Sequence, residues 1–450
     1  MADRRNELLD EWAARLDRAA GAGALMGDAT KPIHIREIGT IAGPRAGALE
    51  IDAGLDAGRL LRALTADSGA VLRQFVSWPF VGDPACYMIG RYIRCEAGWP
   101  DALAEKSIRL SDLGLRPGGS GRWTAGKNEY GQTVTLGLSD HAAHFGVFGT
   151  TGSGKSVAIR SLVSQLAGSG DRLILVDGKF GEGLRNLDHL PGVVGPLAVD
   201  AESARAALGW ALVEMTRRYE AHDAAAPRAV VVCDEVQELV SDPVIVELLR
   251  RIAAQGRAAR VSLVLATQHP TMAAFGGDPT IKRNVTGRIA LRVADAKSSE
   301  VAIGQSTPRA DWLLGAGDAY AVVPGAVQRL QVAYIGRNEL DRLLTAQPSL
   351  AAWPEFHAEA IGQLPAGNVA NYSGAELAVS LVNAHEGAGR PALVNALESA
   401  GLGRPGNVRA DRLLRLGRDQ LDTLKVDGWT LCRMANVIRL SDDDDDGLPA

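Results

Sequence analysis

Cysteine is scarce in this chain, which has four in 450 residues: Cys86, Cys95, Cys233 and Cys432. None of them has the close spacing of metal ligands, and small secreted domains that depend on disulfides carry many more. The scarcity excludes a disulfide scaffold and a zinc ribbon. It favours a reducing, cytoplasmic location.

Long hydrophobic runs are also missing. No apolar segment approaches the ~20 residues that a membrane-spanning helix needs. The first fifteen residues are charged and amphipathic, unlike a secretory leader. We therefore expect a soluble protein with no integral membrane segment, and we leave open a membrane protein as its partner.

An excess of positive charge is the third absence. The net charge is −5, with 46% hydrophobic and 22% charged residues. This composition is globular and gives room for two or three domains. Any contact with nucleic acid would have to come from a local basic patch or from a ring of subunits.

The strongest positive signal is the glycine-rich octapeptide GTTGSGKS at 149–156. It follows the apolar run Phe145–Phe148, which predicts a buried strand, and precedes a helical pattern. Strand, glycine loop and helix together are typical of a phosphate-binding P-loop, whose backbone N–H groups and helix N-terminus attract phosphate. We expect Lys155 to reach the β- and γ-phosphates and the Ser156 hydroxyl to bind Mg²⁺. The predicted ATP-binding residues are Gly149, Thr150, Thr151, Gly152, Ser153, Gly154, Lys155, Ser156 and Val157.

Two further apolar runs end in polar residues. The first, Ala229–Cys233, leads into Asp234 and Glu235. Ligands of open α/β sheets bind at the carboxyl ends of the strands, so Asp234 is suited to hold Mg²⁺ and Glu235 to activate water as a general base. The second ends at Gln268, which would lie beside the γ-phosphate. Taken alone, a glutamine capping a loop is the commoner explanation.

Residues 126–340 alternate strand-like runs with helical patterns, which predicts a parallel sheet covered on both faces. The segment 275–284 is rich in Gly and Pro and was expected to be irregular. We predict an N-terminal helix at 1–25, a small α+β domain at 26–125, a P-loop ATPase motor domain at 126–345, a helical domain at 366–440 and an acidic disordered tail at 441–450.

The C-terminal region is locally basic. Residues 390–440 hold nine arginines and lysines against five carboxylates. This charge, with its helical spacing, favours a winged-helix DNA-binding domain, while a helical cap that packs on the motor stays open. The run Asp442–Asp446 is interpreted as a solvated tail, or as a DNA mimic that competes for the basic patch.

Four motifs together resemble the ordered set of the FtsK/SpoIIIE/Tra family of DNA translocases. They are 149–156, Val-Cys-Asp-Glu at 232–235, Leu-Ala-Thr-Gln-His-Pro at 265–270 and Leu-Gly-Ala-Gly-Asp at 314–318. The resemblance spans about 125–335 and is weaker at 30–120. Cys233 stands where the family usually has an aliphatic residue, and His269 where it usually has arginine.

The resemblance implies a RecA-like P-loop NTPase core that assembles into a hexameric homo-oligomer and pumps double-stranded DNA. In the family a neighbouring subunit supplies an arginine to each ATP site. Arg288 matches that position best, with Lys282, Arg283 and Arg292 as competitors. Candidate DNA contacts are Lys179 and Arg185 in 179–186, and Lys282 and Arg283 in 275–284.

Transfer of plasmid, phage or chromosomal DNA is the function that this resemblance favours. A protein-translocating ATPase of the type VII secretion kind is the alternative, although such proteins usually carry several tandem cores and membrane helices. A DNA-binding regulator with a nucleotide switch is a third class. It is disfavoured by Glu235, since a switch does not need efficient hydrolysis.

Overall fold

The computed structural model describes residues 2–354, apart from 28, 114–118, 140, 224–225, 272 and 344–349. The helical domain expected at 366–440 and the acidic tail expected at 441–450 lie outside the described residues. Both therefore stay predictions.

Helices and strands alternate along the described chain. The helices are α1 Ala2–Gly21, α2 Ala57–Phe75, α3 Lys155–Gly168, α4 Ala201–Glu220, α5 Pro243–Gln255, α6 Pro279–Asn284, α7 Ala296–Ile303 and α8 Arg337–Leu343. The strands are β1 Glu37–Ala42, β2 Ala46–Asp52, β3 Val81–Ile89, β4 Tyr92–Gly98, β5 Ile108–Arg109, β6 Arg122–Asn128, β7 Thr133–Gly137, β8 Phe145–Phe148, β9 Arg172–Asp177, β10 Ala229–Asp234, β11 Val261–Thr267, β12 Gly287–Leu291, β13 Asp318–Val323 and β14 Ala326–Tyr334.

Residues 2–99, which we call the N-terminal unit, form an antiparallel sheet in the order β1-β2-β4-β3 with helices α1 and α2. The predicted N-terminal helix is present as α1, and its Leu9, Trp12 and Leu16 side chains are fully buried. The rings of Trp12 and Trp78 pack edge to face with their centroids 5.3 Å apart, and the ring centroids of Trp78 and Trp99 are 4.5 Å apart. These aromatic side chains give the unit its own hydrophobic core.

The second sheet has the strand order β7-β6-β14-β13-β12-β8-β11-β10-β9, and β5 pairs with β14. Strands β12, β8, β11, β10 and β9 are parallel, as expected, but β13, β14, β6 and β7 are antiparallel. The sheet is therefore mixed rather than parallel throughout. Only Pro324 and Gly325 separate β13 from β14, and so short a link closes a hairpin and cannot make a parallel crossover.

The central strands β8, β10 and β11 are buried along their whole length. Helix α3 packs on one face of the sheet, and α4 and α5 pack against each other and against its strands. Burial on both faces explains why these strands are apolar runs without polar alternation. It also places their carboxyl ends, where the predicted site residues lie, at one edge.

The segment at 275–284 differs from the prediction. Residues 279–284 form the short helix α6, because Asp278 caps it and Pro279 occupies its first turn. The Asp278 carboxylate accepts hydrogen bonds from the N–H groups of Thr280 at 2.6 Å and Ile281 at 3.3 Å. An Asp-Pro pair is a helix-start signal. The first N–H groups of a helix have no partner within the helix, so the missing N–H of proline costs no hydrogen bond there.

Buried charges join the N-terminal unit to the second sheet. Alternate residues of β4 face opposite ways. Its apolar residues lie in the core of the unit, while Arg94 and Glu96 form ion pairs with the second sheet. Arg94 pairs with Glu96 and Glu129, and Arg329 pairs with Glu96 and Asp318. We call Arg94, Glu96, Glu129, Asp318 and Arg329 the interface charge cluster.

Candidate nucleotide-binding site

The glycine-rich loop lies between β8 and α3 and is tied to three neighbours. The Gly149 N–H donates to the Thr267 carbonyl at the end of β11 at 3.3 Å, and the Thr150 N–H donates to the Arg292 carbonyl beyond β12 at 2.9 Å. The Ser153 carbonyl accepts from the Gly317 N–H at 2.7 Å. These bonds fix the loop at the carboxyl edge of the parallel strands.

Two glycines of the loop are required by geometry. Gly154 has φ +99°, in the left-handed region, and a Cβ there would lie 2.9 Å from the Gly317 nitrogen. A Cβ on Gly149 would collide with the Ser153 hydroxyl and lie 2.9 Å from the Leu291 Cβ. The loop can therefore approach both segments only with glycine at these positions.

Lys155, Asp234 and Glu235, which the sequence analysis assigned from separate motifs, meet in one buried group. The Lys155 ammonium pairs with an Asp234 carboxylate oxygen and lies 3.1 Å from Glu235 Oε1. All three residues are 5% exposed or less. Burial raises the pKa of the Asp234 carboxyl, and the Lys155 charge opposes that shift. The lysine is thus held by the carboxylates at the place where a phosphate would arrive.

Glu235 has an unusual backbone and a dense set of partners. Its φ of 48° and ψ of 51° are left-handed, which is uncommon for a non-glycine residue and typical of functional sites. Gln237 donates to Glu235 Oε2 at 2.8 Å, and Gln268 donates to Oε1. Burial alone would raise the pKa of Glu235, but these hydrogen bonds and the Lys155 charge lower it. The carboxylate is therefore kept ionised, as a general base requires.

Gln268 connects this group to the glycine-rich loop. Its side-chain oxygen accepts from the Thr151 hydroxyl at 2.8 Å, while its amide nitrogen donates to Glu235. One amide thus contacts both the loop and the carboxylate predicted to activate water. Its position beside a γ-phosphate stays a prediction.

A cavity of about 480 Å³ opens over these residues. Its lining includes most of the loop and all the predicted acidic and amide groups: Thr150, Thr151, Gly152, Gly154, Lys155, Ser156, Val157, Arg160, Asp177, Lys179, Glu182, Gly183, Asp234, Glu235, Gln268 and Ala316. Gly149 and Ser153 lie behind this surface. Among the described residues, no group is hydrogen-bonded to the buried Ser153 hydroxyl.

The oxygen donors at the cavity fit Mg²⁺. The Ser156 hydroxyl and the Asp234 carboxylate both line it, and Mg²⁺ prefers hard oxygen ligands. Within the described ranges, no cluster of three or more His, Cys, Asp and Glu side chains could hold a metal by itself. This suits Mg²⁺ that is bound by one or two protein groups together with substrate phosphates.

Asp177 is a site residue that the sequence reasoning missed. It ends β9, is 1% exposed and accepts from the N–H groups of Lys179 at 2.8 Å, Gly183 at 2.8 Å and Leu184 at 3.1 Å. Gly183 lies directly against the Asp234 carboxylate, where a side chain would collide. Asp177 therefore shapes one wall of the cavity. The signal was present, since Asp177 follows an apolar run as Asp234 does.

The predicted cations lie in different places. Lys179, a candidate for DNA contact, lines the nucleotide cavity, whereas Arg185 is exposed outside its lining. Lys282 and Arg283 belong to α6, and Arg283 is exposed. The four contacts with DNA stay predictions.

Arg288 does not line the cavity of its own chain. It is near the start of β12, beside Gly146 of β8, while the glycine-rich loop follows the other end of β8. Its guanidinium donates to the carbonyls of Val285 at 3.3 Å and Val301 at 3.4 Å, and burial lowers its pKa. Its role in a neighbouring subunit's site stays a prediction.

The parallel strands, the glycine-rich loop and the Lys155–Asp234–Glu235 group define a P-loop NTPase domain. Residues 119–310 match the model of the FtsK/SpoIIIE family. This match confirms, over these residues, the resemblance that the motifs of the chain carry.

Two curated relatives show how far the similarity extends. DNA translocase FtsK 2 of Ralstonia nicotianae is 33% identical over 265 residues, which cover 49% of this chain and 33% of that protein. DNA translocase SftA of Bacillus subtilis is 33% identical over 227 residues, which cover 44% of this chain and 23% of that protein. The chain spans about a third or less of these relatives.

A solved structure shares the fold. The pCW3 conjugation coupling protein TcpA, in its monomer form with ATPγS, has a TM-score of 0.51 and 20% sequence identity. The likeness covers 73% of this chain and 98% of that one. In the part of the chain that the structure describes, no helix is both long and apolar enough to cross a membrane.

Proposed function

We propose that this protein is an ATP-driven translocase of double-stranded DNA that works as a ring of identical subunits in the cytoplasm. The observation that carries the proposal is the group of Lys155, Asp234, Glu235 and Gln268 around one cavity at the carboxyl edge of a P-loop sheet. Hydrolysis of a nucleoside triphosphate needs a lysine, a metal-binding carboxylate and a general base, and here an amide contacts both the base and the glycine-rich loop.

Each residue has a role that follows from its present contacts. Lys155 would exchange its carboxylate partners for the β- and γ-phosphates, and the backbone N–H groups of the loop would bind the same oxygens. Ser156 and Asp234 would hold Mg²⁺, which supplies positive charge to the phosphate oxygens. Glu235, freed from Lys155, would polarise the attacking water, while Gln268 moves with the state of the γ-phosphate.

DNA as the substrate is suggested by the names of the relatives, each of which is called a DNA translocase. The proposed task is transfer of plasmid, phage or chromosomal DNA, and the solved structure of the same fold is named a conjugation coupling protein. Ring formation would let a neighbour's cation, for which Arg288 is the candidate, reach each ATP site. A trans arginine makes hydrolysis depend on the position of the neighbour.

The proposal is tested by the steady-state rate of ATP hydrolysis with duplex DNA, with single-stranded DNA and without DNA. We expect duplex to raise the rate clearly above both other conditions, and Lys155→Ala to abolish it under all three because the phosphates lose their main side-chain cation. Hydrolysis that ignores duplex would contradict DNA as the substrate and favour a protein-translocating ATPase. Nucleotide binding without turnover would favour a switch.

A further inference from the structure

We propose that Arg45, in the N-terminal unit, is a positioning residue for the P-loop and acts through the segment 312–318. This segment contains the Leu-Gly-Ala-Gly-Asp motif at 314–318, to which the nucleotide-binding site gives no role of its own. It runs between the N-terminal unit on one side and the glycine-rich loop on the other. The proposal assigns the N-terminal unit a part in nucleotide binding.

The Arg45 guanidinium makes three hydrogen bonds across the boundary between the unit and the second sheet. It donates from Nε to Gln331 Oε1 at 2.7 Å, and from Nη2 to the carbonyls of Ala316 at 2.5 Å and Lys106 at 2.8 Å. Gln331 is 2% exposed and donates in turn to the Ala316 carbonyl at 3.2 Å. Two side chains therefore converge on one peptide group.

That peptide group adjoins the P-loop. The Gly317 N–H, which shares the peptide bond with the Ala316 carbonyl, donates to the Ser153 carbonyl at 2.7 Å. The same nitrogen lies where a Cβ on Gly154 would clash, and Ala316 lines the nucleotide cavity. A shift of this peptide would therefore change the backbone of Ser153 and Gly154 in the glycine-rich loop.

The front of the segment is held by the N-terminal unit as well. Methyl groups of Leu314 pack so closely on Gly82 and Gly98 that a Cβ on either glycine would lie 2.9 Å from them. The Leu314 N–H donates to Asp318 at 2.8 Å, and Asp318 is paired through Arg329 with Glu96. The segment is thus fixed at both ends, and Arg45 holds the end that touches the P-loop.

A fixed loop binds phosphate better than a mobile one, because its N–H groups are already aimed when the ligand arrives. Loss of Arg45 leaves the Ala316 carbonyl with the Gln331 amide alone and frees the peptide to move. The effect should reach nucleotide affinity without requiring any contact between Arg45 and the nucleotide. That the ligand is ATP or ADP rests on the proposed function.

The test compares Arg45→Ala and Arg45→Lys with the control Arg59→Ala. Arg59 lies in the same unit, and its hydrogen bonds go to Asp56, Lys31 and Pro32 within that unit. We expect Arg45→Ala to weaken Mg²⁺–ADP binding, measured by calorimetry, by about fivefold or more. Arg45→Lys should recover part of the loss because it keeps a donor and the charge, and Arg59→Ala should bind normally.

Hydrogen exchange of the nucleotide-free protein gives a second, ligand-independent readout. Arg45→Ala should speed exchange of the amides in 149–156 and 314–318, and Arg59→Ala should not. Unchanged exchange in both segments would overturn the inference. So would a general loss of protection, equal in Arg45→Ala and Arg45→Lys, because Arg45 would then be a residue of global stability. Failure of the proposed function looks different, since it appears as wild-type protein that does not hydrolyse ATP with DNA.

Discussion

The interface charge cluster and the charged group at the P-loop are both buried in the described part of the chain, and they differ in whether their charges can pair with a ligand. The interface charge cluster surrounds Arg94 and Arg329 with carboxylates between the two sheets, and each of its five residues is 9% exposed or less. The group at the P-loop opens onto a cavity of about 480 Å³. Its lysine is paired with two carboxylates, one of which sits on strained backbone.

The difference distinguishes charges that hold the fold together from charges that can bind a ligand. In the interface charge cluster the guanidinium groups of Arg94 and Arg329 pair with carboxylates of the protein, so removing one partner leaves buried charges of the others uncompensated. In the open group the same kinds of charge can exchange partners with a ligand. Burial of charge alone therefore does not indicate a functional site; at the P-loop, the glycine-rich loop lines the same cavity as the charges.

Arg329→Met should have the largest effect on stability. Arg329 is 6% exposed, donates to Glu96 at 2.6 Å and to the two Asp318 oxygens at 3.0 and 2.7 Å, and its loss leaves two buried carboxylates short of a partner. We expect the free energy of unfolding to fall by about 3–5 kcal/mol. Denaturant unfolding measures this loss.

Arg91→Met is the matched control, since Arg91 lies in the turn between β3 and β4 of the N-terminal unit and its side chain is 70% exposed. It should change the free energy of unfolding little, as exposed ion pairs contribute little. Equal effects of the two substitutions would show that the ion pairs of the interface charge cluster contribute no more to stability than an exposed ion pair does.

Glu129→Gln should have a smaller effect that depends on pH. Three buried carboxylates share two guanidinium groups, and burial raises the pKa of Glu129 from 4.5 to about 7. Because the folded protein holds the Glu129 proton more tightly than the unfolded chain, the protonated carboxyl contributes fully to stability below pH 4.5. This contribution is lost as the pH rises towards 7. Wild-type protein should lose stability across that window relative to Glu129→Gln. Parallel stability curves would contradict the raised pKa.

Much of the second group was visible in the sequence. Lys155, Asp234, Glu235 and Gln268 each follow an apolar strand pattern, and parallel strands end at a common edge, so their meeting could be predicted. Asp177 carries the same signal and was missed because its strand had no motif attached. Lys179 could not be separated from a surface cation until the Asp177 carboxylate was seen to fold its loop back over the cavity.

The interface charge cluster could not be predicted in the same way. Arg94 and Glu96 alternate with apolar residues on β4, which is the ordinary pattern of a strand with one solvated face. Their burial depends on β13 and β14, more than two hundred residues later in the chain. The antiparallel strands that follow β12 also break the helix–strand alternation from which a parallel sheet was expected.

The central claim is that the open group performs hydrolysis, and Glu235→Gln tests it most directly. The substitution removes the general base but keeps Lys155 paired with Asp234. The free energy of unfolding should therefore change by less than about 1 kcal/mol. ATP binding should persist, while hydrolysis in the presence of duplex DNA should fall by about 100-fold or more. Hydrolysis by Glu235→Gln at the wild-type rate would contradict the account.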